Sequence, residues 1–79
     1  MISGKQLKSA RALLNISAAE LSELAQVDHR TIQRFEAAPG IPPSRSGNLE
    51  KVKAALEAKG VVFIGDPIHS PGVQLTKVN

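Results

Sequence analysis

Apolar residues recur along this chain at helical spacing four times, and then the period changes. Leu7, Ala10 and Leu14 mark one face of a first helix. Ser3, with Gln6 three residues on, is a capping box, so that helix opens at Ser3, runs to about Leu14 and ends in a C-cap turn at Asn15. Ser17 with Glu20 is a second capping box, and Leu21, Leu24 and Ala25 give the apolar face behind it. Asp28 is the N-cap of a third helix, over residues 29–38, whose inward side is Ile32 and Phe35; its cap bond is expected to contribute about 1 kcal/mol. Three prolines and a glycine in Pro39–Ser46, PGIPPSRS, forbid helix and predict a rigid loop. Leu49, Val52, Ala55 and Leu56 then mark a fourth helix, from Gly47 or Asn48 to Lys59, with Gly60 as its C′ residue.

After Gly60 the pattern turns to strand. Val61-Val62-Phe63-Ile64 is a β-branched and aromatic run, broken by Gly65-Asp66-Pro67 and again by Ser70-Pro71-Gly72, with Val73-Gln74-Leu75 as a second strand. This predicts a loose hairpin with a long connection, followed by a frayed tail from Thr76 to Asn79. An isolated two-stranded hairpin is marginal in water, so it packs on the helices or pairs with the same strand of a second copy; two-fold pairing, giving a homodimer, is the expectation. The organisation is therefore a mainly α unit at 1–60 and a β element with tail at 61–79 that serves dimerisation.

Function enters through the third helix. Its outward side carries His29, Arg30, Gln33 and Arg34, all able to bond base edges or phosphates; Arg suits guanine and Gln suits adenine. Two capped helices joined by a tight turn, the second with a polar and basic outer face, form the helix-turn-helix design for a DNA major groove. The whole is expected to be a mainly α, four-helix helix-turn-helix domain with a short C-terminal β-strand or hairpin.

The segment LNISAAELSELAQVDHRTIQRFE resembles the core of the phage-repressor-like transcriptional regulators, the Xre or Cro/C1 type. Leu14, Ser17, Glu20, Leu21, Ala25, Val27, Thr31, Ile32 and Glu36 fill matching positions, and the likeness covers residues 3 to 58. It departs at Ala18, where the family has a DNA-contacting Gln, and at Gln26, where the turn has Gly. A left-handed Gln26 would cost roughly 1 kcal/mol relative to Gly. The resemblance implies base contacts from His29, Arg30 and Arg34, a phosphate contact from Thr31, and a partly buried ion pair between Arg11 and Glu36. It also implies that the loop after the recognition helix lies along the DNA backbone, where Ser44, Arg45 and Ser46 suit phosphates.

Composition narrows the classes further. The chain has 79 residues, one domain at most, and its 42% hydrophobic content includes Phe35 and Phe63 as the only aromatics, so the core is aliphatic. It has no cysteine, which excludes disulfides and thiolate metal sites. No apolar run approaches the roughly 18 residues of a membrane span, and no signal-peptide pattern opens the chain, so a cytoplasmic protein is expected. The net charge is +3, with Glu20 and Glu23 ahead of the third helix and Arg30, Arg34, Arg45, Lys51 and Lys53 in and after it, a distribution that suits a polyanion. His29 and His69 lack metal-site spacing, no nucleophile–base pair or phosphate-binding loop is present, and neither a cofactor nor catalysis is expected. The resulting expectation is a dimeric, repressor-like regulator that binds specific duplex DNA. The alternative is an antitoxin-like or other protein-interaction module that uses the same fold and its C-terminal strand to hold a protein partner.

Overall fold

The computed structural model describes residues 1–44 and 46–76. Arg45 and the tail residues 77–79 lie outside the described residues. Among the described residues, four helices, α1 (Gly4–Leu14), α2 (Ala18–Ala25), α3 (His29–Ala37) and α4 (Asn48–Ala58), precede an antiparallel hairpin of β1 (Val61–Ile64) and β2 (Gly72–Leu75). The register pairs Val61 with Leu75, Val62 with Gln74, Phe63 with Val73 and Ile64 with Gly72. One aliphatic core takes Leu7 and Ala10 from α1, Leu21 and Ala25 from α2, Ile32 and Phe35 from α3, Leu49, Val52 and Leu56 from α4, and Val61 from β1. No helix among the described residues is long and apolar enough to cross a membrane.

The helix ends follow the local chemistry. At α1, Ser3 Oγ accepts the Gln6 N–H at 3.2 Å and Gln6 Oε1 accepts the Ser3 N–H at 3.0 Å. Ser17 and Glu20 repeat that exchange at α2, both at 3.0 Å. Asn15 (φ 56°) and Gln26 (φ 57°) close α1 and α2 in the left-handed conformation. Gln26 bears the cost of a Cβ there, and its own Nε2 donates to the Glu23 carbonyl at 2.8 Å, satisfying one group of the helix end. Residue Ala38 is already extended because Pro39 follows it, and this stops α3.

Several expectations change. Asp28 occupies the N-cap position of α3 but makes no side-chain cap bond. Its backbone is set by the three-residue turn, which Ser22 closes by donating to the Val27 carbonyl at 2.5 Å while the Val27 N–H donates to the Ser22 carbonyl. The carboxylate stays in water, where it acts only through its charge at the positive end of α3. Leu24 is 44% exposed rather than part of the core, since it lies off the line that Leu21 and Ala25 draw along α2. The loop after α3 also carries a buried side chain, Pro42.

The hairpin is not loose, and Thr76 is not frayed. Asp66 accepts the Ile68 and His69 N–H groups, each at 2.8 Å, and the Ser70 N–H donates to the Asp66 carbonyl at 3.1 Å, so residues 65–71 form a tied loop. The Thr76 N–H and hydroxyl both donate to the Gly60 carbonyl, at 2.7 and 2.8 Å, which extends the hairpin past its last strand residue. Phe63 and Val73 lie half-buried against the helical core. Within one chain, therefore, the hairpin packs on the helices.

The first turn of α1 is the junction that holds the other parts. Gly4 meets the C-terminal end of α3 so closely that a Cβ would strike the Phe35 carbonyl and lie 3.0 Å from that of Ala38. The Gly4 N–H donates to the Gly40 carbonyl at 3.1 Å. The positive end of α1 thus abuts the negative end of α3, a favourable dipole arrangement. Gln6, buried, sends its Nε2 to the Ile64 carbonyl at 3.2 Å and the Gly72 carbonyl at 3.0 Å. The sequence marks Gln6 only as half of a capping box; its amide nitrogen also ties down the hairpin.

Candidate nucleic-acid interface

The site is built on α3, and α3 is fixed from behind. Ile32 and Phe35 are buried, at 0% and 1% exposure, and anchor one side of the nine-residue helix. Near its end, Glu36 accepts two bonds from Arg11 of α1, from Nε to Oε2 and from Nη2 to Oε1, both 2.8 Å. Arg11 Nη1 also donates to the Ile16 carbonyl at 3.2 Å, so one guanidinium joins α1, α3 and the entry to α2. The Arg11 and Glu36 side chains keep 22% and 11% of their exposure. Hydrogen bonding to Glu36 raises the Arg11 pKa above its ordinary value; partial burial opposes this, and the carboxylate's charge reinforces it. The cation therefore stays charged throughout the range in which proteins fold.

The opposite side of α3 is open. His29, Arg30, Gln33 and Arg34 are all exposed. At helical rotation they span an arc of about 140°, facing away from Ile32 and Phe35. Among the described residues, Arg11 forms an ion pair with Glu36 and the His69 ring lies 3.2 Å from the Asp66 carboxylate; Arg30 and Arg34 take part in neither contact. Neither arginine forms a salt bridge to Glu23. Arg34 lies with its guanidinium carbon 6.0 Å from the centre of the Phe35 ring. Thr31 is half-buried at the margin of the arc.

Beside α3 a cleft of about 410 Å³ is lined by Arg34, Phe35, Pro43, Ser44, Ser46 and Asn48. It brings Arg34 together with Ser44 and Ser46, whereas His29 and Thr31 lie outside it. Ser44 also caps α4, its Oγ accepting the Leu49 N–H at 3.2 Å, which leaves its own proton free to donate. Gly47, in the left-handed conformation at φ 76°, precedes α4 and offers no side chain as a cap. Asn48, the first residue of α4, brings the start of that helix, where phosphate contacts are expected, into the lining of the cleft. Glu50 in the first turn of α4 counteracts any attraction of an anion to that helix end.

The arrangement can offer donors to an anionic, edge-bearing ligand, with Arg30 and Arg34 one helical turn apart. Among the described residues no three His, Cys, Asp or Glu side chains come together as a metal site would need. Compared with known proteins, the chain matches no protein-family model and no curated protein.

Proposed function

We propose that this chain is a helix-turn-helix DNA-binding protein, α2 and α3 forming the motif and α3 entering the major groove of duplex DNA. The observation that carries this reading is the exposed His29, Arg30, Gln33 and Arg34 arc on a helix anchored from behind, with both arginines free of ion pairs among the described residues. A rigid support and open donors are what base reading needs, because each bidentate contact discriminates by about 1–3 kcal/mol only if the helix is held in register. Ser44, Ser46 and Asn48 in the adjoining cleft suit phosphate oxygens, as does Thr31 at the arc's margin. One head reads a few base pairs, so a regulator of this size acts as two heads about one helical turn apart. Exposed Val62, Ile64 and Leu75 on the hairpin supply apolar surface for a second copy.

That same hairpin surface favours a second reading, a module that holds another protein through its strands and binds DNA weakly or only with that partner. Selection of fragmented genomic DNA by the purified protein, with sequencing of what is retained, separates the two. The DNA reading expects a recurring site with two related half-sites, affinity that falls steeply with salt, and relaxed preference at one position in Arg30→Ala. Absence of enrichment at moderate salt, with Arg30→Ala indistinguishable from the parent, would leave the interaction module.

A further inference from the structure

A second surface, sharing no residue with the α3 face, has its own chemistry. The end of α1, the outer side of α2 and the end of α4 enclose an open groove of about 460 Å³, lined by Leu14, Ile16, Glu20, Glu23, Leu24 and Lys59. Its aliphatic members are partly open to solvent: Leu14 and Ile16 are half-buried and Leu24 is 44% exposed. One lip carries Glu20 and Glu23, exposed and, among the described residues, in no ion pair. Glu20 uses one carboxylate oxygen for the Ser17 N–H and keeps the other open. Lys59, at the end of α4, also lines the groove and is exposed, so its aliphatic stem can cover apolar surface while the ammonium stays in water. The groove is thus acidic along one side in a chain whose net charge is +3.

We propose that this groove docks an amphipathic helix of another protein, one that buries aliphatic side chains on Leu14, Ile16 and Leu24 and sets two lysines or arginines against Glu20 and Glu23. Charge selects this occupant. Glu20 and Glu23 are one turn apart on α2, about 5–6 Å between Cβ atoms, and match cations at the same spacing on a facing helix. An acidic segment, duplex DNA included, is repelled from that lip. The open shape suits a helix laid in a groove rather than an enclosed small molecule. The residues that line the groove come from α1, α2, the α1–α2 turn and the end of α4, and none from α3.

The test uses a synthetic helical peptide with a leucine stripe flanked by lysines, titrated into the full isotope-labelled chain and followed amide by amide in NMR spectra. Two controls run beside it, one with glutamates replacing the lysines and one with serines replacing the leucines. The expected result is saturable shifts confined to residues 13–24 and Lys59, seen with neither control. Leu24→Ser and Glu20→Gln/Glu23→Gln should each weaken binding at least about tenfold, as loss of a central contact does. Both variants alter exposed positions, and Gln retains the capping-box acceptor, so an unchanged melting temperature certifies their fold. Shifts centred on α3 or the hairpin, binding indifferent to both variants, or no saturable binding would overturn the proposal. So would the same shifts on raising protein concentration alone, which would make a second copy the occupant. Failure of DNA selection would leave this result untouched, since the titration contains no DNA.

Discussion

Two parts of the molecule, α3 and the hairpin, are both docked on α1, and they are held in different ways. For α3 the attachment is a close backbone approach at Gly4 and the two-pronged Arg11–Glu36 pair, both at its C-terminal half. For the hairpin it is one buried amide, Gln6, reaching two strand carbonyls, together with the apolar packing of Val61, Phe63 and Val73. The first leaves a polar face with its donors open, and the second leaves apolar side chains open at Val62, Ile64 and Leu75. Each attachment fixes the part that touches α1 and exposes what lies beyond, which is how one small core can present two surfaces of different chemistry.

The largest break in that comparison comes from Gly4→Ala. The added methyl meets carbonyl oxygens of α3, which are backbone and cannot rotate away. Separating α1 from α3 to make room should destabilise by about 3 kcal/mol, the upper part of the usual overpacking range. In a domain this small that is a large share of the total, so urea unfolding should show a much lower midpoint. A midpoint within error of the parent would mean that the α1–α3 contact adapts easily.

Glu36→Ala comes next. It leaves Arg11 facing a partly buried site without its carboxylate, and about 2–3 kcal/mol should be lost, less than a fully buried pair because the guanidinium keeps access to water. Replacing both partners by apolar residues, Arg11→Met with Glu36→Leu, should recover most of the loss. If the double variant is no more stable than Glu36→Ala, the Arg11 bond to the Ile16 carbonyl matters more than the pair itself. The pair gives no pH dependence in the ordinary range from its arginine. The raised Arg11 pKa means its contribution holds below the unfolded value and is lost only as pH rises through a still higher folded one.

On the hairpin side, Gln6→Leu keeps the volume roughly but removes both donations to Ile64 and Gly72 and the acceptor for Ser3. A loss of about 1–2 kcal/mol is expected, with amide exchange accelerating in β1 and β2 before α3. Equal acceleration in both would show that the two attachments open together rather than separately.

These two attachments also explain what is legible in the sequence. The helices, their ends and the α2–α3 unit rest on residues three or four apart: Ser3 with Gln6, Ser17 with Glu20, Ile32 with Phe35. Such pairs are visible in a linear string because the helix itself brings them together. The Gln6 link to Ile64 and Gly72 spans most of the chain, and nothing in a glutamine at the third helical position announces it. Leu24 departs from its expected burial for a related reason, since eight residues of helix give a stripe whose edges only neighbouring helices define. Within the candidate interface, the exposure of all four α3 side chains is legible from periodicity. That Ser44 caps α4, and that Asp28 leaves its cap bond unmade, depend on loop paths that proline content alone does not specify.

The smallest expected effect lies in the loop that closes the hairpin. Asp66 has its pKa lowered, first by the N–H of His69, then by that of Ile68, with the His69 ring adding a lesser contribution. A lowered folded value means the contribution is present above the ordinary carboxylate range and fades as pH falls through the folded value. Since the carboxylate is exposed, global stability should barely respond. The local signature should be clear: the Ile68 and His69 amide resonances move together on the acid limb, while those of α3 stay still. Asp66→Asn, which keeps an oxygen acceptor without a titrating proton, should hold the loop and abolish that movement. If the α3 resonances followed the same curve, the hairpin and the polar face would be one unit. The separate attachment argued from Gly4, Arg11 and Gln6 would then be wrong.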